Sequence, residues 1–316
     1  MVLVVCLNPT LQKTLVFSSL REGEVNRTPT YYLDASGKGV NVTRVLGQLG
    51  IPAIHLTHAG GMFRDIFLTL AEQDNLRILA PDSGSEVRFC TTLLNQGKGT
   101  TTELVEEAKP VLPGTETEVR KGFQNLLSKS NCLVISGTRA PGYRETLYAE
   151  FVRDAKEAGK RVILDMRGKD LVACLPYRPD VIKINLSEFA STFLGISPDG
   201  EQIRDLTVVQ RVKEQFLALA EEYGVVCITT NGKEDTLYYN RGDVFRMPVH
   251  LSKDLPVLNT TGSGDAFLAG FLKAWQEEGY PEPSSHAFQA GIEGYLQEAH
   301  RVAFLNAAHV RPGRIR

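Results

Sequence analysis

Cys132-Leu133-Val134-Ile135-Ser136, a helical stretch Tyr143–Glu157, then Arg161-Val162-Ile163-Leu164-Asp165: this alternation decides the fold. It continues through a helical Lys169–Leu175, the run Val181-Ile182-Lys183-Ile184, a long helical stretch Leu206–Tyr223 and the run Val225–Thr230. Short apolar runs between helices read as strands covered on both faces, and successive βαβ crossovers build a mostly parallel sheet. Working outward, Met1–Leu7 is a further apolar run without a basic leader that meets Asn8-Pro9, so it reads as a first buried strand and not a signal peptide. The core is therefore expected to be α/β.

Two stretches break the alternation, roughly 14–33 and 87–104, both rich in Thr, Val, Tyr and Phe with polar residues interleaved. Two-sided strands of this kind suit a small antiparallel flap beside the main sheet, which we expect to act as a lid. The last ~30 residues read as helix, with Ala299, Val302, Ala303, Leu305 and Ala307 recurring before Pro312-Gly313 stops it. No repeat, low-complexity tract or long linker divides the chain, so one domain with a lid is the expectation.

Composition narrows the ligand. With 42% hydrophobic and 23% charged residues in 316, the chain can bury a large core. A formal net charge of -2 gives no global attraction for nucleic acid and leaves a small anion as the better partner. No apolar run approaches the ~18 residues that would suggest a membrane span. The five cysteines form no CxxC pair, and Cys6, Cys132 and Cys227 lie in strand-like runs, which reads as buried thiols in a reducing compartment. A cytoplasmic protein is expected. His55 and His58 belong to no zinc-type pattern and read as structural.

Two glycine turns carry the chemistry. Thr261-Gly262-Ser263-Gly264-Asp265 precedes a small-residue apolar run that reads as a buried helix. Glycines let backbone approach a ligand, and the free amides and dipole of a helix N-terminus attract an anion. An Asp in that first turn can sit beside a transferring phosphoryl group, although an ordinary glycine turn with an acidic helix start has the same local pattern. Ser36-Gly37-Lys38-Gly39-Val40-Asn41 is the second turn, with a cation and an amide at its mouth. It is not a Walker A loop, because Gly39 stands where that motif needs Ser or Thr. By itself it is equally readable as a structural turn.

In this order and separation the two motifs resemble the PfkB or ribokinase family of carbohydrate kinases, closest to its 1-phosphofructokinase and tagatose-6-phosphate kinase branch. Further matches run nearly end to end: Leu7-Asn8-Pro9, Gly23–Arg27, Thr102-Glu103-Leu104, Val134–Gly137 with Pro141-Gly142, Val162–Asp165, and Lys183-x-Asn185-x-x-Glu188. The resemblance implies a ribokinase-like three-layer α/β/α fold over residues 1–316, with a mostly parallel central sheet and a small β lid. It also implies a sugar-phosphate kinase that uses ATP and Mg2+.

Residue by residue, Asp265 matches the family's base, and the amides of Thr261, Gly262, Ser263 and Gly264 its anion hole. An Asp of ordinary pKa, about 4, can serve there, because phosphoryl transfer depends mainly on positioning and charge stabilisation. Asn185 and Glu188 match the element that holds magnesium, partly through water, although a plain helix start gives the same spacing. Lys183 is implied at the nucleotide phosphates, and Thr230, Gly232 and Asn306 near the nucleoside. Gln12, Gly37, Lys38, Asn41, Arg88 and Ser136 are implied on the acceptor, with Arg27 as a further lid cation or a surface residue. Arg and Lys together suit a phosphorylated sugar.

The departures cluster on the acceptor side. The family's Asn-Pro-Ala-x-Asp is Asn8-Pro9-Thr10-Leu11-Gln12 here, its Gly-Gly-Lys-Gly is Ser36-Gly37-Lys38-Gly39, Arg139 adds a cation after Ser136-Gly137, and Lys-Pro-Asn is Lys183-Ile184-Asn185. Fructose 1-phosphate is the expected acceptor and fructose 1,6-bisphosphate the product, with tagatose 6-phosphate or fructose 6-phosphate as alternatives. A sugar-phosphate-binding regulator that has lost turnover is the competing class, motivated by Gln12. A nicotinamide dehydrogenase would need a GxGxxG after an early strand, and there is none. The edges of the lid sheet could pair two subunits.

Overall fold

A computed structural model describes residues 1–196, 202–249 and 255–316. In chain order its first elements are β1 (Val2–Val5), β2 (Thr10–Phe17), β3 (Tyr31–Ser36), α1 (Lys38–Gln48), β4 (Ala53–Leu56), α2 (Arg64–Gln73) and β5 (Ile78–Leu79). There follow β6 (Arg88–Asn95), β7 (Thr100–Val105), α3 (Thr115–Leu127), β8 (Cys132–Ser136), α4 (Leu147–Glu157), β9 (Arg161–Asp165), α5 (Lys169–Cys174) and β10 (Val181–Asn185). The last are α6 (Leu186–Phe193), α7 (Leu206–Tyr223), β11 (Val226–Asn231), β12 (Glu234–Asn240), β13 (Asp243–Met247), α8 (Ser263–Glu277) and α9 (His286–Ala307).

The large sheet has nine strands in the order β13-β12-β11-β10-β9-β8-β1-β4-β5, parallel from β11 to β5 with β12 and β13 antiparallel at one edge. Its strands are apolar on both sides because alternate residues enter different cores. Leu3, Leu133, Val162 and Ile182 face a layer built on α3, α4, α6 and α7, whereas Val4, Val134, Ile163 and Val181 face α1, α8 and α9. This is the three-layer α/β/α arrangement implied by the resemblance. Strand order reverses around β1, and ligands of such sheets bind at the carboxyl ends beside that switch.

The small sheet has four strands, β3-β2-β6-β7. It occupies the two stretches that broke the alternation but is not antiparallel throughout, since β2 and β6 run parallel. Between them the chain passes through β3, α1, β4, α2 and β5, a crossover long enough to return in the same direction. One face carries Leu11, Ala35 and Phe89, packed with Val40 and Phe67. By register the opposite face carries Gln12, Asp34, Arg88, Thr92 and Glu103.

Other differences are local. The helix expected from Tyr143 begins at Leu147, and the final helix stops at Ala307, before Pro312-Gly313, because the chain turns back there. Both Leu258 and Asn259 donate their amides to Ala307 O, closing that turn. All five cysteines are free and buried, as expected.

Candidate active site

The site grows from strand ends and helix starts that meet at one edge of the large sheet. Ser136 ends β8, Asp165 ends β9 and Asn185 ends β10, while α1, α6 and α8 begin close by. Gly262 caps α8 at a φ of 80°, a left-handed conformation that a β-carbon disfavours. Asn306 holds the turn: its Nδ2 donates to Thr261 O at 3.0 Å and its Oδ1 accepts from Gly313 N at 2.7 Å. Both ends of that amide are therefore committed to backbone, one in the turn and one in the segment beyond α9.

Asp265 lies in the first turn of α8 and is 5% exposed. Asn41 Nδ2 donates to its Oδ2 at 2.9 Å. The orientation of Asn41 is itself determined, since its Oδ1 accepts from Ser36 Oγ at 3.0 Å and from Arg44 at 3.1 Å. Burial, and next the charge of Asp165, push the Asp265 pKa up to about 7, against the pull of Lys38, Asn41 and Lys183. Asp265 thus differs from the ordinary Asp expected from the sequence, because it is desolvated beside a second acid.

Asp165 is that second acid, and no role was read for it from the sequence. Burial works to raise its pKa, yet Lys183 and Lys38, with the Ser136 hydroxyl, hold it below the usual carboxylate value. Ser136 Oγ donates to Asp165 Oδ2 at 3.0 Å, and Lys183 Nζ stands 3.8 Å from Oδ1 while donating to Gly264 O at 2.9 Å. An acid closing the otherwise apolar Val162-Ile163-Leu164-Asp165 was the available signal. Two neighbouring carboxyls with opposed pKa shifts are a mark of divided acid–base roles.

Lys38, expected on the acceptor, is placed against two carboxylates. Its ammonium lies 3.5 Å from Asp165 Oδ1 and 3.4 Å from Glu188 Oε1, bridging the two. Burial opposes its charge, but Asp165, Glu188 and Asp265 together keep its pKa above that of an ordinary lysine. Asn185 and Glu188 form a capping box on α6: Asn185 Oδ1 accepts from Glu188 N at 2.6 Å, and Glu188 Oε2 from Asn185 N at 3.2 Å. Glu188 Oε1 is left facing Lys38. Thr230 stands beside Asn185 in register, and Gly232 follows at the turn after β11.

On the small sheet, Gln12 is 5% exposed and donates to Thr92 Oγ1 at 2.7 Å. Arg88 donates to Glu106 O at 2.8 Å, and its Nε is buried without a partner. Gly37, with a φ of 110°, starts α1 against the backbone of Asn8 and Pro9. Arg139 is engaged elsewhere, by Asp170 and Tyr143 O, and Arg27 is exposed. His55 and His58 are buried, and burial lowers each pKa to about 4, so both stay neutral as structural residues would.

A model of the pfkB family of carbohydrate kinases matches residues 3–312. The chain belongs to that family. It is a sugar kinase, a phosphotransferase with an alcohol acceptor. Its fold is similar to that of phosphofructokinase-2 from Escherichia coli in complex with potassium, at a TM-score of 0.79 and 16% identity over 98% of this chain and 93% of that one. A protein described as a possible 1-phosphofructokinase from Thermotoga maritima superposes at 0.81 with 21% identity, covering 98% of this chain and 92% of its own. Arabidopsis thaliana ribokinase complexed with ribose and ATP gives 0.68 and 18% identity, over 99% and 94% of the two chains. The ribokinase-like fold of the sugar kinase is thereby established.

Proposed function

We propose that this kinase transfers the γ-phosphoryl group of ATP to a ketohexose phosphate, in the first place fructose 1-phosphate, giving fructose 1,6-bisphosphate. Tagatose 6-phosphate and fructose 6-phosphate are the alternative acceptors. The observation that carries this reading is Asp265, buried at the start of α8 with the ammonium groups of Lys38 and Lys183 acting on its charge. Arg88, with a buried unpartnered Nε, favours a phosphorylated acceptor over a neutral sugar.

Asn41 occupies Oδ2 of Asp265, and Oδ1 accepts the proton of the attacking hydroxyl. The amides of Gly262 and Gly264 and the Lys183 ammonium stabilise charge on the transferring group; those of Thr261 and Ser263, expected beside them, are instead taken by Asn259 Oδ1 and Thr260 O. The small sheet acts as a lid that keeps water from competing for the phosphoryl group. Among the described residues no three His, Cys, Asp or Glu side chains converge on one point. That suits magnesium, which keeps several waters and takes few protein oxygens. Asp165 Oδ1 and Glu188 Oε1 both already face one cationic group, and with Asn185 through water they would hold the ion. When bound it neutralises charge on the nucleotide phosphates.

Five buried free thiols support a cytoplasmic setting, and among the described residues no helix is long and apolar enough to cross a membrane. The edge strand β7, with Leu104 and Val105 exposed, is where a second copy would pair. The test is ADP release with MgATP against phosphorylated and free sugars. A phosphorylated ketohexose should stimulate it, and Asp265→Asn should reduce turnover by at least ~10² while nucleotide still binds. Sugar binding without stimulated release would instead make the chain a regulator.

A further inference from the structure

Gln12 lies buried on the polar face of the small sheet, and its surroundings define what it offers a ligand. Nε2 of Gln12 donates to Thr92 Oγ1 at 2.7 Å, Thr92 faces Glu103 Oε1 at 3.4 Å, and the same carboxylate oxygen accepts from the Thr261 hydroxyl at 2.8 Å. Register accounts for the meeting: Thr92 is paired directly with Glu103 on β7, and Gln12 lies diagonally across on β2. All three side chains share the polar face of the small sheet. Thr92 is fully buried, so water does not compete for its hydroxyl.

The polarity of this chain follows from its end. An ionised carboxylate can only accept, a hydroxyl has one proton, and an amide has two N–H donors at one end and an accepting oxygen at the other. With the Thr92 proton toward Glu103 at 3.4 Å, the Thr92 oxygen is free to receive a donor, and Gln12 supplies Nε2. A flipped amide would draw that proton to Gln12 and give up the contact with Glu103. Gln12 Oε1 is then the end left for a ligand.

We propose that Thr92 and Glu103 are positioning residues that hold the Gln12 amide by its Nε2, so that Oε1 is turned as an acceptor toward a hydroxyl of the sugar. The proposal rests on the acceptor reading given above. It assigns Gln12 to recognition of a hydroxyl that donates, and it links that recognition through Glu103 to Thr261 in the anion-hole turn.

The experiment measures acceptor affinity by calorimetry with fructose 1-phosphate, fructose 6-phosphate and tagatose 6-phosphate, beside steady-state kinetics, in four variants. Thr92→Val, which keeps the shape and removes the hydroxyl, should weaken binding of the preferred sugar phosphate and raise its KM about tenfold, with a much smaller change in kcat and in KM for ATP. Thr92→Ser should restore both. In a Gln12→Ala background, Thr92→Val should have no further effect, because the group it orients is gone. Unchanged acceptor affinity in Thr92→Val, additive effects in the double variant, or equal losses for sugar and ATP would each overturn the proposal. If the unaltered chain binds a sugar phosphate without turnover, the kinase reading fails while the binding arm still decides on Thr92. A chain that binds none of the three overturns both.

Discussion

A catalytic base whose pKa lies near neutrality makes turnover sensitive to pH where an ordinary Asp would not. As the proposed base, Asp265 must be ionised to accept a proton, so kcat/KM should fall as pH drops through about 7, the value of the free protein. Asp165→Asn removes the neighbouring negative charge and frees Lys38 and Lys183 from it, and all three effects favour the ionised form of Asp265. The acid limb of the pH–rate profile should then move to lower pH, though not to the ordinary Asp value, because burial is the larger cause. A limb that stays put in Asp165→Asn would separate the two acids. The place of Asp265 was legible from its glycine turn, but its pKa was not. Asp165 comes from a different strand, and only the fold puts the two together.

At the scale of elements, the parallel core was readable because each strand is buried on both faces and carries a continuous apolar run. The small sheet was harder. Its strands were located from their polar alternation, but pairing direction depends on the path taken between them, and β2 lies parallel to β6 only because the chain detours through α1 and α2. The β12–β13 hairpin, an antiparallel edge on an otherwise parallel sheet, was not anticipated. Asn185 and Glu188 left a choice between metal site and helix start, and the structure gives them the cap while one Glu188 oxygen remains toward Lys38. Asn185→Ala should therefore cost about 1 kcal/mol of stability, read as a lower urea midpoint. It should also raise the magnesium concentration needed for half-maximal turnover, since the same cap fixes the Glu188 side chain. Asn185→Asp keeps an oxygen for the Glu188 amide and should retain most of the stability. A stable Asn185→Ala variant would show that the cap contributes little.

Over the whole molecule, in the function proposed above, the position of the small sheet relative to the Thr261–Gly264 turn decides whether acceptor and base can meet. Two attachments set it. One is Glu103 with Thr261, and the other is Asp34 on β3, buried against Arg311 and Arg314 from beyond α9. Arg314 also reaches Asp74, which pairs with Arg44, and Arg44 orients the Asn41 amide that contacts Asp265. Asp34 thus connects the small sheet to the residues around the base, a relation with no local signature in the sequence. Asp34→Asn leaves the arginines without their shared counter-charge. Breaking a buried pair from one side costs about 3 kcal/mol or more, and because both arginines reach solvent the lower end of that range is expected. If the attachment also sets the sheet over the site, KM for the acceptor should rise in Asp34→Asn under conditions where the variant is fully folded, with KM for ATP little changed. A variant that loses stability but keeps its acceptor KM would reduce the Asp34 network to a staple and leave the alignment of the sheet to Glu103.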